Sequence, residues 1–199
     1  MDLPNILTLS RIPLMFVIVW LMRESFVGAA STAFVLFVVA GLTDWLDGYI
    51  ARKRGIVSNF GILMDALTDK ILMLGLMIVL VDIGRVHIFL VLLILGREFM
   101  ITGMRLVAAT KGVVVAAESS GKQKTMTQIL AVGAFLLESV FRFDFGGGQG
   151  SWMHQTAEAL NWLGLILFGL CVFMTLYSGV KYFRKYGELV FFEGGESEK

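Results

Sequence analysis

The feature that most constrains this chain is the length of its apolar runs. Six segments, roughly 6–23, 30–52, 61–82, 86–110, 124–142 and 156–182, are predominantly apolar and are separated by short polar stretches. A helix needs about 20 such residues to cross the hydrocarbon core of a bilayer. Backbone groups in lipid must be satisfied internally, so only helices and closed barrels can span it. None of the segments alternates polar and apolar residues at period two, which argues against a barrel. Composition agrees, with 57% hydrophobic and 17% charged residues, where an average soluble domain has roughly 45–50% apolar and about 25% charged. The expected fold is an all-α integral membrane protein of six transmembrane helices, one domain over residues 1–192 followed by a polar tail, 193–199 (EGGESEK).

The basic residues orient these spans. With the N-terminus placed in the cytoplasm, only Arg23, Arg85 and Arg142 of the 17 Lys and Arg fall on the far side. Excess Lys and Arg mark the cytoplasmic loops, so both termini are expected to be cytoplasmic. A net charge of +1 provides no field to attract nucleic acid, and no such partner is expected. The single cysteine, Cys171, has no internal disulfide partner and reads as a packing residue. Trp20, Trp152 and Tyr182, near span ends, read as parts of an aromatic belt.

The most informative residues are charges that hydropathy alone would forbid. Asp44 and Asp47 lie near the cytoplasmic end of the second span, and Asp65 and Asp69 near the start of the third. A charge at the bilayer centre costs at least ~2.5–3.5 kcal/mol, and such residues usually face the bundle interior and serve a function. The spacings i,i+3 and i,i+4 put each pair on one helix face. Gly48 and Ala51 share a face with Asp44, and Gly61 shares one with Asp65. A short connection, RKRGIVSNF, makes the two helices antiparallel neighbours. The carboxylates can then converge on a small volume bordered by residues with little side chain. Four carboxylates a few ångströms apart need compensation. Mg²⁺ or a similar hard cation supplies it, and such cations bind through carboxylates together with substrate phosphates. Two alternatives stand beside this reading on spacing alone: a divalent-cation transporter with the acids as its transit site, and structural pairing of the acids with Arg97 and Arg105.

The complete string, DWLDGYIARKRGIVSNFGILMDALTD over residues 44–69, narrows the choice. It has the form D-x2-D-G-x2-A-R-x8-G-x3-D-x3-D and resembles the signature of the CDP-alcohol phosphatidyltransferase family. Every fixed position matches: Asp44, Asp47, Gly48, Ala51, Arg52, Gly61, Asp65 and Asp69. Eight fixed residues at fixed spacing are far more specific than a short glycine motif. Residues 4–14 (PNILTLSRIPL), 96–105 (GREFMITGMR) and 119–128 (SSGKQKTMTQ) also resemble bacterial members whose acceptor is glycerol 3-phosphate. One departure is Ala66, where that branch often carries a proline directly after the third aspartate; the carboxylates themselves stay in place.

The resemblance implies an enzyme of the bacterial cytoplasmic membrane, commonly a homodimer, with its active site facing the cytoplasm. It implies a reaction between CDP-diacylglycerol and sn-glycerol 3-phosphate that releases CMP with the help of Mg²⁺ or Mn²⁺. The resemblance and the helix spacing together assign the metal to Asp44, Asp47, Asp65 and Asp69, with Asp69 as general base. Asn5, Thr8, Asp47, Gly48, Arg52 and Gly61 are expected at the CDP moiety. The acceptor is a dianion, so cations should line its pocket, and Arg97, Arg105, Lys122 and Lys124 are the candidates. Lys122 and Lys124 also satisfy the positive-inside rule without any such role. Another acceptor (phosphatidylglycerol, an inositol phosphate or serine) is the alternative within the family.

Overall fold

The computed structural model describes the backbone of residues 3–54, 59–110, 119–146 and 150–191, and side chains within 9–43, 67–68, 70–110, 123–146 and 150–187. Each expected apolar segment corresponds to one helix, the fifth running on into a short π-helical turn, Val140–Asp144. The helices are α1 (Leu3–Arg23), α2 (Ala29–Arg54), α3 (Asn59–Asp82), α4 (Ile88–Thr110), α5 (Ser119–Ser139) and α6 (Trp152–Phe191). No strand occurs among the described residues. Helices α5 and α6 extend past the apolar segments into polar sequence, because hydropathy marks only the part of a helix suited to lipid. The last helix continues through the basic stretch 181–185 for 40 residues in all.

Among the described residues, two helical stretches, Gln123–Asp144 and Trp152–Gly187, are long and apolar enough to cross a membrane. The outer surface tells the same story. Phe16, Trp20, Phe99, Leu106, Trp162, Ile166 and Phe173 are each more than half exposed. Water-soluble monomers rarely show apolar surface on this scale, whereas lipid tails cover it at no cost.

Packing among the described residues closes the six helices into a ring in the order α1, α2, α5, α6, α4, α3 and back to α1. Every helix contributes to one core, from Ile18 of α1 and Ala33 of α2 through Leu76 of α3 and Ile94 of α4 to Phe135 of α5 and Phe168 of α6. Lipid supplies little hydrophobic drive between helices, so close packing of small residues has to hold the seams. At Gly75 a Cβ would come within 2.2 Å of the Met15 sulfur. At the α1–α3 seam any larger residue there would have to displace the Met15 side chain.

One position departs from the sequence expectation. Tyr182 is not part of an interfacial belt: it is buried with Ile101 and Ala108 of α4 and its ring lies against Tyr186. Proximity to a span end predicts an aromatic belt only for a side chain on the lipid-facing side, and this one faces α4. Trp20 and Trp152, by contrast, are well exposed.

The end of the bundle opposite the acidic motif is locked by charge. Glu138 on α5 is fully buried, with Arg85 of the α3–α4 turn 2.7 Å from one carboxylate oxygen. Arg142 donates to the other oxygen from a π-helical turn, Val140–Asp144, that extends α5. Arg85 also reaches Asn161 of α6 at 3.4 Å, and Arg142 lies 3.7 Å from the exposed Glu158. Two residues on, Asp144 accepts from the backbone N–H groups of Gly28 and Ser31 at 2.8 and 2.6 Å, and so caps the start of α2. Together these contacts join α2, the α3–α4 turn, α5 and α6.

Removing one partner of a buried ion pair costs about 3–5 kcal/mol, because a charge is left without compensation. Glu138→Ala is therefore expected to lower thermal stability in detergent markedly. Glu158→Ala, at the exposed rim, should cost no more than about 1 kcal/mol. Scanning fluorimetry of the two variants side by side checks this.

Candidate active site

The aspartate motif is carried by two helices. The last three turns of α2 hold Asp44, Asp47, Gly48 and Arg52, and the first three turns of α3 hold Gly61, Asp65 and Asp69. Both stretches are unbroken α-helix, so the i,i+3 and i,i+4 spacings keep their helical meaning. Helix α1, which carries Asn5 and Thr8, packs against both α2 and α3. The side chains of all nine of these residues, and that of Lys122, lie outside the described residues.

Beside the motif the described structure is detailed. Thr68, the residue before Asp69, is fully buried. Lys70, the residue after it, donates to the Thr102 hydroxyl of α4 at 2.6 Å. The Thr102 hydroxyl in turn donates to the carbonyl of Glu98, at 2.8 Å. This pins the beginning of α3 to the middle of α4, one turn from the next group of charges.

That group is centred on Glu98. Its carboxylate accepts from Arg97 Nη1 at 2.8 Å and from Lys124 of α5. Arg97 reaches the other way as well, donating from Nη2 to the hydroxyl of Ser178 on α6 at 2.9 Å. Lys124 is 3% exposed, so its charge has no recourse to bulk solvent and must be matched locally. Two of the expected acceptor cations, Arg97 and Lys124, are thus brought together on one carboxylate. Arg105 is apart from them, two turns farther along α4 and exposed.

The cluster has binding capacity to spare. A guanidinium presents five donors in a planar fork, suited to phosphate oxygens. Two of the Arg97 nitrogens are engaged, and its buried Nε has no hydrogen-bond acceptor among the described residues. A groove of about 540 Å³ between α4 and α6 opens beside it, walled by Leu93, Met100, Leu176 and Phe183, with Arg97 and Arg184 as its charged lining. It combines an apolar wall with cations, a chemistry suited to amphipathic phosphate compounds.

Sequence reasoning missed Ser178 and assigned Glu98 no more than a neighbouring partner. Ser178 stands in a run of apolar residues, and a lone serine in such a run is common in membrane helices. Its signal was positional: it follows Cys171 by two turns and so shares the inward face.

Comparison with known proteins supplies the family. The sequence profile of the CDP-alcohol phosphatidyltransferases matches residues 1–176. A protein of Bacillus subtilis (strain 168) named CDP-diacylglycerol–glycerol-3-phosphate 3-phosphatidyltransferase is 38% identical over 200 residues, which cover 92% of this chain and 94% of its own. A protein of the same name from Rickettsia typhi is 34% identical over 183 residues, covering 92% of this chain and 96% of its own. Another from Treponema pallidum is 34% identical over 153 residues, 76% of this chain and 68% of its own. With a profile match over most of its length and similarity of this extent, the chain belongs to the CDP-alcohol phosphatidyltransferase family.

Proposed function

We propose that the protein transfers the phosphatidyl group of CDP-diacylglycerol to sn-glycerol 3-phosphate, forming phosphatidylglycerol phosphate and CMP. The observation that carries this is the complete eight-residue motif of residues 44–69, in a chain similar over 92% of its length to proteins named for that reaction. The Arg97–Glu98–Lys124 cluster holds two cations on one carboxylate, and this excess of positive charge supports a phosphorylated, dianionic acceptor over serine, whose net charge is zero.

The donor set fits a hard divalent cation. Asp44, Asp47, Asp65 and Asp69 offer only carboxylate oxygens, the ligands Mg²⁺ and Mn²⁺ favour. When bound, the metal would neutralise the diphosphate of the donor and favour departure of CMP. Asp69 accepts the proton of the acceptor hydroxyl as its oxygen attacks the phosphorus that bears the diacylglycerol. The bond from that phosphorus to the CMP oxygen breaks in line, and Arg52 pairs with the charge that develops on the leaving phosphate. Asn5 and Thr8 hydrogen-bond the nucleotide, and Gly48 and Gly61 leave it room beside α2 and α3. Arg97, Arg105, Lys122 and Lys124 hold the acceptor phosphate.

The same proposal places all six helices across the bacterial cytoplasmic membrane, with both termini and the active site on the cytoplasmic side. The distribution of Lys and Arg and the apolar outer surface support it. A homodimer in that membrane is part of the proposal and rests on the family resemblance.

Purified protein in mixed micelles with CDP-diacylglycerol, Mg²⁺ and labelled glycerol 3-phosphate should convert label to lipid with matching CMP release. Asp69→Asn should lower kcat by about 10²–10⁴-fold, the usual contribution of a positioned base. EDTA should abolish turnover, and added Mg²⁺ or Mn²⁺ should restore it. CMP release without labelled lipid would keep the family chemistry and reject this acceptor. No CMP release from folded protein with any acceptor would reject the enzyme reading.

Acceptor binding is tested separately. A hydrogen bond to a charged group contributes about 1.5–3 kcal/mol, so Arg97→Ala should raise KM for glycerol 3-phosphate by about tenfold or more. KM for CDP-diacylglycerol should change little. An equal rise in both constants would argue against a separate acceptor site around Arg97.

A further inference from the structure

One contact in the cluster comes from a helix to which neither the motif nor the acceptor assignment gives a role. Ser178 of α6 accepts from Arg97 Nη2 at 2.9 Å and donates to the carbonyl of Thr175 in its own helix at 3.1 Å. Both capacities of the hydroxyl are therefore used, and the second fixes the direction of the first. Ser178 is 1% exposed, so water does not compete for either bond. The next residue acts on the same side chain from below. A Cβ at Gly179 would sit 3.2 Å from Cγ of Arg97, tighter than ordinary van der Waals contact, so the stem of the arginine lies directly on the α6 backbone.

An arginine bound by one carboxylate alone could swing about that contact. Here Glu98 holds Nη1, Ser178 holds Nη2 and Gly179 supports the stem, which leaves the guanidinium plane one orientation. The Nε edge remains buried and without an acceptor among the described residues. A fork preorganised in this way binds a phosphate with less loss of side-chain freedom than a loose one.

We propose that Ser178 and Gly179 are positioning residues for Arg97, and that through them α6 sets the affinity for a phosphorylated acceptor. The inference rests on the proposed role of Arg97 at the acceptor phosphate. It assigns the two residues no contact with either substrate.

The test is a steady-state comparison in mixed micelles, varying glycerol 3-phosphate and CDP-diacylglycerol in turn. Ser178→Ala should raise KM for glycerol 3-phosphate about 3- to 10-fold, less than Arg97→Ala does, because the lost hydrogen bond orients the arginine and does not itself reach the phosphate. Gly179→Ala should shift it in the same direction by displacing the arginine stem. In both variants kcat and KM for CDP-diacylglycerol should stay within about twofold of wild type, which general damage to the fold would not produce. Gly169→Ala, on the same helix with open space at its Cβ, is the control and should match wild type.

An unchanged acceptor KM in Ser178→Ala, with Arg97→Ala raising it, would overturn the positioning role and leave the proposed function standing. An unchanged KM in Arg97→Ala overturns the inference at its base. If the wild-type protein transfers to a different phosphorylated alcohol, the proposed acceptor falls, and a raised KM for that alcohol in Ser178→Ala still supports the inference. A wild-type protein that uses no phosphorylated alcohol overturns both.

Discussion

Charge buried among helices has to be matched where it lies, and the Glu98 carboxylate shows how much structure one such match can organise. It accepts from Arg97 on its own helix and from Lys124 on α5, and Arg97 carries the connection to Ser178 on α6. One turn away, Thr102 joins the backbone of Glu98 to Lys70, directly after the last aspartate of the motif. Four helices thus meet through one acid. In a medium of low dielectric, losing any partner exposes the others to the full desolvation penalty. The geometry around Arg97 is therefore stiff. Glu98 also keeps two cations close together without either repelling the other out of place.

The opposite end of the ring repeats the device with inverted emphasis. Glu138 is the fully buried member there, and the arginines that meet it come from the α3–α4 turn and the π-helical turn. No residue of the aspartate motif is involved, and the cluster serves to close the bundle. Between the two charged levels, the core is almost purely apolar and rich in alanine. The two charged clusters are separated along the helix axes, so changes at one need not disturb the other.

Much of this could be read from the sequence, for identifiable reasons. Helix number and approximate limits follow from apolar run length, which is a local property. The motif is legible because its spacings are fixed in the chain, and Arg97 stands out because it is a cation within an apolar run. What could not be read depends on which residues face each other across helices. Ser178 is an ordinary serine until Arg97 is found beside it. Tyr182 near a span end looks interfacial until α4 is seen to cover it. Glu138 gives no hint that its partner Arg85 lies 53 positions away. Hydropathy likewise predicts where a helix enters lipid and says nothing of how far it continues, which is why α6 outruns its apolar segment.

The length of α6 has one more consequence. Asn161, which bonds Arg85 at the closed end, and Ser178, which bonds Arg97, are 17 positions apart on one continuous helix. At 1.5 Å per residue that separation is about 26 Å, slightly less than the roughly 30 Å of a bilayer's hydrocarbon core. The helix therefore works as a ruler. In the proposed membrane placement, with its closed end at one headgroup layer, it holds Arg97 just inside the other. On the proposed function, a lipid donor anchored by its tails and a water-soluble acceptor arriving from the aqueous phase would then meet at a single depth, with neither drawn out of its own medium.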